Sequence, residues 1–140
     1  MLSIDQERFL NHHKIAHLAT VDDKGHPHVV PVCFVLLGKT IYIVLDDKPK
    51  TVDVMSLKRV RNISGNPYVS LVVDHYEDDW EKLGWVMIRG QAMVREVSEL
   101  NEEVIQLLRS RYTQYRTMNL ENRVLIVIEV EKAVSWGKIK

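Results

Sequence analysis

The sequence predicts a mainly β domain of the α+β class: an antiparallel barrel of six strands, closed or nearly closed, with two or three helices packed at its ends. Three observations carry that expectation. β-rich runs separated by short Gly, Asp and Asn turns recur along the chain, two segments carry apolar residues at helical spacing, and 140 residues is the size of one ordinary domain. Residues 1–140 are therefore read as a single domain, with no internal repeat, linker or low-complexity segment.

Ser3 followed by Gln6 has the pattern of a capping box. Ile4, Phe9, Leu10 and His13 then give a short amphipathic helix over one end of the barrel. IAHLATV (15–21), the turn DDKG (22–25) and the run HVVPVCFVLLG (28–38) read as strand, hairpin turn and strand. Gly38-Lys39 turns the chain into TIYIVL (40–45), which completes a meander. Pro49 breaks the pattern within DDKPKT (46–51), and DVMSLKRVRNIS (53–64) reads as a helix with Leu57, Val60 and Ile63 on one face, ended by Gly65, Asn66 and Pro67. YVSLVVDH (68–75) is a strand, EDDWEKLG a charged loop, and WVMIRGQAMVREV (85–97) a long strand in which Gly90 marks a kink or bulge. A further helix over 98–112 presents Leu100, Val104, Leu107 and Leu108, and RVLIVIEVEKAVSW (123–136) is the last strand.

Composition narrows the function. Nineteen basic and nineteen acidic residues balance to a formal charge of zero, so no long-range field draws in nucleic acid, and any bound anion must meet a local group of cations. The single cysteine, Cys33, excludes an internal disulfide, and the charged start MLSIDQERFL lacks the apolar core of a signal peptide. No apolar run approaches the roughly 20 residues of a membrane-spanning helix. The expected setting is the cytoplasm, with neither membrane nor nucleic acid as partner. A barrel this small is filled by its own side chains, which leaves a groove between two copies as the place for a cofactor and makes a homodimer the expectation.

The chemically suggestive residues lie between Lys48 and Asn62. Lys48, Lys50 and Thr51 occupy the loop, and Lys58, Arg59 and Arg61 follow on the helix. At about 100° per residue, Lys58, Arg61 and Asn62 fall opposite the Leu57, Val60 and Ile63 stripe. Read from spacing alone, this group is either a phosphate cradle or a solvated helix face.

The strings KPK (48–50), LKRVRNISGNPYVSLVVDHYEDDW (57–80), WVMIRGQA (85–92) and LATVDDKGHPHVVPVCF (18–34) resemble the pyridoxamine 5'-phosphate oxidase-like, FMN-binding split-barrel family, and within it the branch of deazaflavin (coenzyme F420)-dependent enzymes. The resemblance covers nearly the whole chain. It implies an antiparallel split β-barrel homodimer that binds the deazaflavin or FMN at the subunit interface. Carried over, it makes Lys50, Lys58 and Arg61 phosphate ligands, with Lys48, Thr51 and Asn62 in support, and lays Pro31 and Val32 against the ring. Lys48 and Arg59 are further cations for a deazaflavin's glutamate tail. The chain lacks the C-terminal substrate-binding segment of true pyridoxamine-phosphate oxidases, so vitamin oxidation is not implied.

Other constellations are weaker. The histidine pairs His12-His13 with His17, and His26 with His28, have no converging carboxylate or cysteine, so no metal site is expected. His75 and Tyr76 could donate a proton at a strand end. Trp80, Trp85 and Trp136 suit core or interface packing, and Cys33 reads as a small core hydrophobe. The expected function is an oxidoreductase that moves a hydride to or from a small organic substrate with its bound coenzyme and without a dedicated catalytic side chain. The alternatives are an FMN-dependent oxidoreductase, a non-catalytic flavin- or haem-binding module, and a purely structural dimer.

Overall fold

The computed structural model describes residues 2–45, 57–120 and 123–140. The first helix, α1 (Ile4–His12), starts where the capping signature places it: the Ser3 hydroxyl accepts the Gln6 N–H at 3.1 Å, and the Gln6 side chain accepts the Ser3 N–H at 2.9 Å. Both bonds satisfy donors that a helix start leaves without partners. Strand β1 (Ile15–Val21) then pairs antiparallel with β2 (Pro27–Cys33) across a turn held by Asp22.

The run 28–38, expected as one strand, is two. β2 stops at Cys33 and β3 (Val35–Leu37) begins after Phe34 to pair with β4 (Thr40–Val44). The cause lies in the Phe34 backbone, whose N–H donates to the Tyr112 hydroxyl at 2.9 Å and whose carbonyl accepts from Arg111 Nε at 3.1 Å. Side chains from a distant helix thus take the backbone bonds that a neighbouring strand would otherwise make. The sheet therefore has seven strands rather than six.

After α2 (Lys58–Gly65) come β5 (Tyr68–His75), the long β6 (Gly84–Glu96), α3 (Glu102–Arg111) and β7 (Val124–Gly137). One antiparallel sheet runs in the order β2-β1-β5-β6-β7-β4-β3 and is not closed by hydrogen bonds. The β6–β7 ladder carries a register shift beside Gly90, as the glycine suggested, and a Cβ there would collide with the Glu129 carbonyl.

Alternation along the strands serves two cores. The inner face, with Leu18, Ile43, Leu71, Ile88 and Ile128, curls around one core into which α1 inserts Phe9 and Leu10 and α2 inserts Val60 and Ile63. The outer face of β3, β4 and β7 is covered by α3 and the segment after it through Val44, Leu108, Tyr115 and Leu125. Among the described residues no helix covers the outer face of β1, β2, β5 and β6 in this way. That face leaves Val29 64%, Tyr68 60% and Ile15 48% exposed, with Trp136 of β7 beside it at 54%. No helix among the described residues is long and apolar enough to cross a membrane.

Candidate functional site

Where β2 leaves β1 toward the other edge of the sheet, a cleft of about 250 Å³ opens. Pro31, Val32 and Cys33 of β2, Ile15 of β1, Ile43 and Val44 of β4, Arg59 of α2 and Tyr115 line it. Pro31 and Val32, the two residues expected against a ring, thus share a cleft with a guanidinium. Cys33, expected in the core, is half-buried: it packs on the second core and also reaches the cleft. Tyr112 ties Phe34, just after β2, to Lys14, just before β1. Its hydroxyl lies 2.7 Å from the carbonyls of Lys14 and Phe34, and burial pushes its pKa up, so it stays a neutral strut at physiological pH.

Helix α2 is oriented differently from the expectation. Asn62 is 3% exposed, and its side-chain amide donates to the buried Thr20 hydroxyl at 2.9 Å, so it does not stand with Lys58 and Arg61 on an outer face. The reason is geometric: the buried residues Val60, Asn62 and Ile63 subtend an arc of roughly 160°, and that arc passes through position 59. Arg59 is therefore carried inward to the cleft, while Arg61 stays exposed. A polar residue on the inner arc is tolerated because the Asn62 amide and the Thr20 hydroxyl satisfy each other. Spacing alone assigns Arg59 only a minor part, because its inward position goes with the Asn62–Thr20 pair between elements 42 positions apart, a contact that leaves no local signal.

Lys58 sits at the start of α2, 40% exposed, with Nζ 3.5 Å from Asp22 Oδ2. Asp22 also accepts the N–H groups of Lys24 and His26 through Oδ1, at 2.9 and 2.8 Å. The His26 backbone bond is the main reason that its carboxyl is held well below the usual range, against a burial effect that pushes it up. The negative turn leaves Lys58 partly neutralised and tethers α2 to the β1–β2 hairpin. Lys48, Lys50 and Thr51 lie outside the described residues.

The remaining residues singled out from the sequence are scattered. His75 Nε2 is 2.6 Å from Glu77 Oε2, Tyr76 is 65% exposed, and Trp80 stands 71% exposed on a short 3₁₀ turn, in no core. Trp85 and Trp136 are directly cross-strand neighbours on β6 and β7. No three His, Cys, Asp or Glu side chains among the described residues converge as a metal cage requires.

Residues 3–137 match the family described as pyridoxamine 5'-phosphate oxidase. Among solved structures, the conserved hypothetical protein Rv2991 from Mycobacterium tuberculosis is 22% identical, with 99% of this chain and 86% of that one covered and a TM-score of 0.77. HutZ, the heme storage protein from Vibrio cholerae, is 21% identical over 92% of this chain and 89% of its own, with a TM-score of 0.68. A structure described as an F420 reductase is 20% identical over 91% and 94% of the two chains, with a TM-score of 0.64. None of the curated proteins compared with the sequence matches it significantly. At these identities the structural likeness bears on the split-barrel fold alone.

Proposed function

The chain belongs to the pyridoxamine 5'-phosphate oxidase family, and from that membership we propose that it is a cytoplasmic, homodimeric oxidoreductase that transfers hydride to or from a small organic substrate with a bound deazaflavin, coenzyme F420. The observation that carries the reading is the cleft that Pro31 and Val32 of the edge strand β2 line together with Arg59. A tricyclic ring needs an apolar slot with few polar groups, and its phosphate needs cations at one end; Pro31, Val32 and Ile43 offer the first and Arg59 the second. Lys58 and Arg61 belong to the same helix but stand off its inner arc, and with Lys48, Lys50 and Thr51, which precede it in the chain, they are proposed as further phosphate ligands.

About 250 Å³ falls short of the 300–1,000 Å³ of typical cofactor sites, which supports a reading in which one chain contributes half of the site and a second copy the rest. Ile15, Pro31 and Cys33 are shared between the cleft and the uncovered outer face of β1 and β2. A second copy on that face would bury its apolar rows and close the slot over the ring. The coenzyme supplies the hydride chemistry when bound. The chain's own groups hold the phosphate, keep water from the apolar slot and orient the ring along β2.

The test is a side-by-side titration of the purified protein with F420 and FMN. Micromolar binding of F420 is expected, together with a loss of about 1.5–3 kcal/mol when Arg59, the cation that lines the cleft, is replaced by alanine, since a charge-assisted contact goes. Binding of FMN alone would replace the deazaflavin reading by the FMN-dependent one. Tight binding of haem with neither flavin would favour a storage or carrier module, a reading supported by the likeness to the heme storage protein HutZ.

A further inference from the structure

Sharing no residue with the Pro31–Arg59 cleft, a second cleft of about 440 Å³ lies between α1, the end of β5 and the residues that follow β7. We propose that it binds a small aryl anion, an aromatic ring carrying a phosphate or a carboxylate. Its wall is a run of three rings. Phe9 and His13 are 4.3 Å apart between centroids at 32°, and His13 meets His75 edge-on at 5.6 Å. The run is fixed rather than adaptable: His13 Nδ1 donates to the Phe9 carbonyl at 2.8 Å, and His75 is held by Glu77 at 2.6 Å. Ile139 adds apolar surface to the same cleft, and an offset or edge-on aromatic ligand gains most from such a wall.

The charges around this wall are cationic. Arg8 enters from α1, Lys82 from the turn before β6, and Lys138 and Lys140 from the chain after β7. The loop 77–81 is rich in acids, yet Glu77 is its only carboxylate lining the cleft, and Glu77 is already engaged by His75 and, at 4.0 Å, by Lys82. Asp79 is occupied by the Glu81 N–H. Among the described residues no carboxylate pairs with Arg8 or Lys138. Cations gathered from three separate elements around an apolar aromatic wall make a local anion site on a chain whose net charge is zero. The volume falls within the range of small-molecule sites and matches one or two rings rather than a peptide.

The wild-type chain is titrated with phenyl phosphate, benzoate and inorganic phosphate, following the imidazole proton resonances of His13 and His75 by NMR and the heat by calorimetry. One equivalent of an aryl anion per chain is expected to shift both imidazoles, and preference for phenyl phosphate or benzoate identifies the head group. Replacing Arg8 and Lys138 together by alanine should weaken binding about tenfold or more while the flavin titration keeps its wild-type affinity, which separates this site from the coenzyme cleft. Imidazoles that do not move up to roughly 10 mM ligand overturn the proposal. So does an affinity unaffected by the double substitution. Equal affinity for inorganic and phenyl phosphate would remove the role of the ring wall and overturn the aryl assignment.

Discussion

Gly90 holds its place because of one carbonyl. Its backbone sits against Glu129 where the β6–β7 register shifts, and any side chain there would collide with that oxygen. Gly90→Ala is therefore expected to cost about 1–3 kcal/mol, read as a lower denaturant midpoint with an unchanged slope. Asp22 governs a different variable. Its folded-state carboxyl is acidified, chiefly by the His26 N–H, relative to an unfolded value near ~3.9. The stability it contributes is therefore fully present above that ordinary carboxylate value and is lost as pH falls below it toward the folded value. Asp22→Asn should be less stable than wild type at pH 7, and the gap should narrow by pH 2; melting curves that stay parallel across that range would refute the assignment. Asn62 teaches the limit of residue-type reasoning. As a lone asparagine among Lys and Arg it reads as surface, and only its pairing with Thr20, 42 positions away, shows it to be interior.

Helix α1 depends on a single guanidinium from another helix. Arg111 donates to the carbonyls of Leu10, Asn11 and His13 at the end of α1 and to Phe34, with its charge over the Phe34 and Tyr112 rings at 5.1 and 5.5 Å. A cation at a helix C-terminus is also favoured by the helix dipole. Arg111→Met strips donors from four carbonyls and should cost about 2–4 kcal/mol, with faster amide hydrogen exchange in α1 as the specific sign. Arg111→Lys should not restore protection, because a point ammonium cannot reproduce the fork. Local signals made much of this scale legible: the Ser3–Gln6 cap, the DDKG hairpin turn and the glycine at the β6 irregularity each act over a few residues. The break at Phe34 was illegible because its causes, Arg111 and Tyr112, are 77 and 78 residues away and leave no mark on the apolar run they interrupt. The same holds for the cleft: Pro31 and Val32 could be read from the strand, whereas the inward turn of Arg59 depends on how α2 docks on β1 and β6.

At the scale of the molecule, the uncovered rows on β1, β2, β5 and β6 pass directly into the cleft, so assembly and coenzyme binding are expected to be coupled. Val29, 64% exposed at the centre of β2, is the position that tests it. Val29→Glu places a charge in the proposed contact and should turn a species of twice the chain mass into one of the chain mass by sedimentation, with coenzyme affinity falling in parallel. A monomeric variant with undiminished affinity would show that one chain suffices. The strand order has a consequence in time as well. The four strands made first, β1 to β4, form the two outer ends of the sheet, and the strands that join those ends are made last. The β3–β4 hairpin finds its ladder only when β7 emerges, and Thr40 meets Glu129 across 89 positions. A chain still on the ribosome therefore carries two hairpins with open edges and no middle, and folding waits on long-range loop closure rather than on local turn formation. The 14 residues of β7 act as a timing device: β2, β1, β5 and β6 can pair with one another before it emerges, but until it is released the β3–β4 end has no ladder to join.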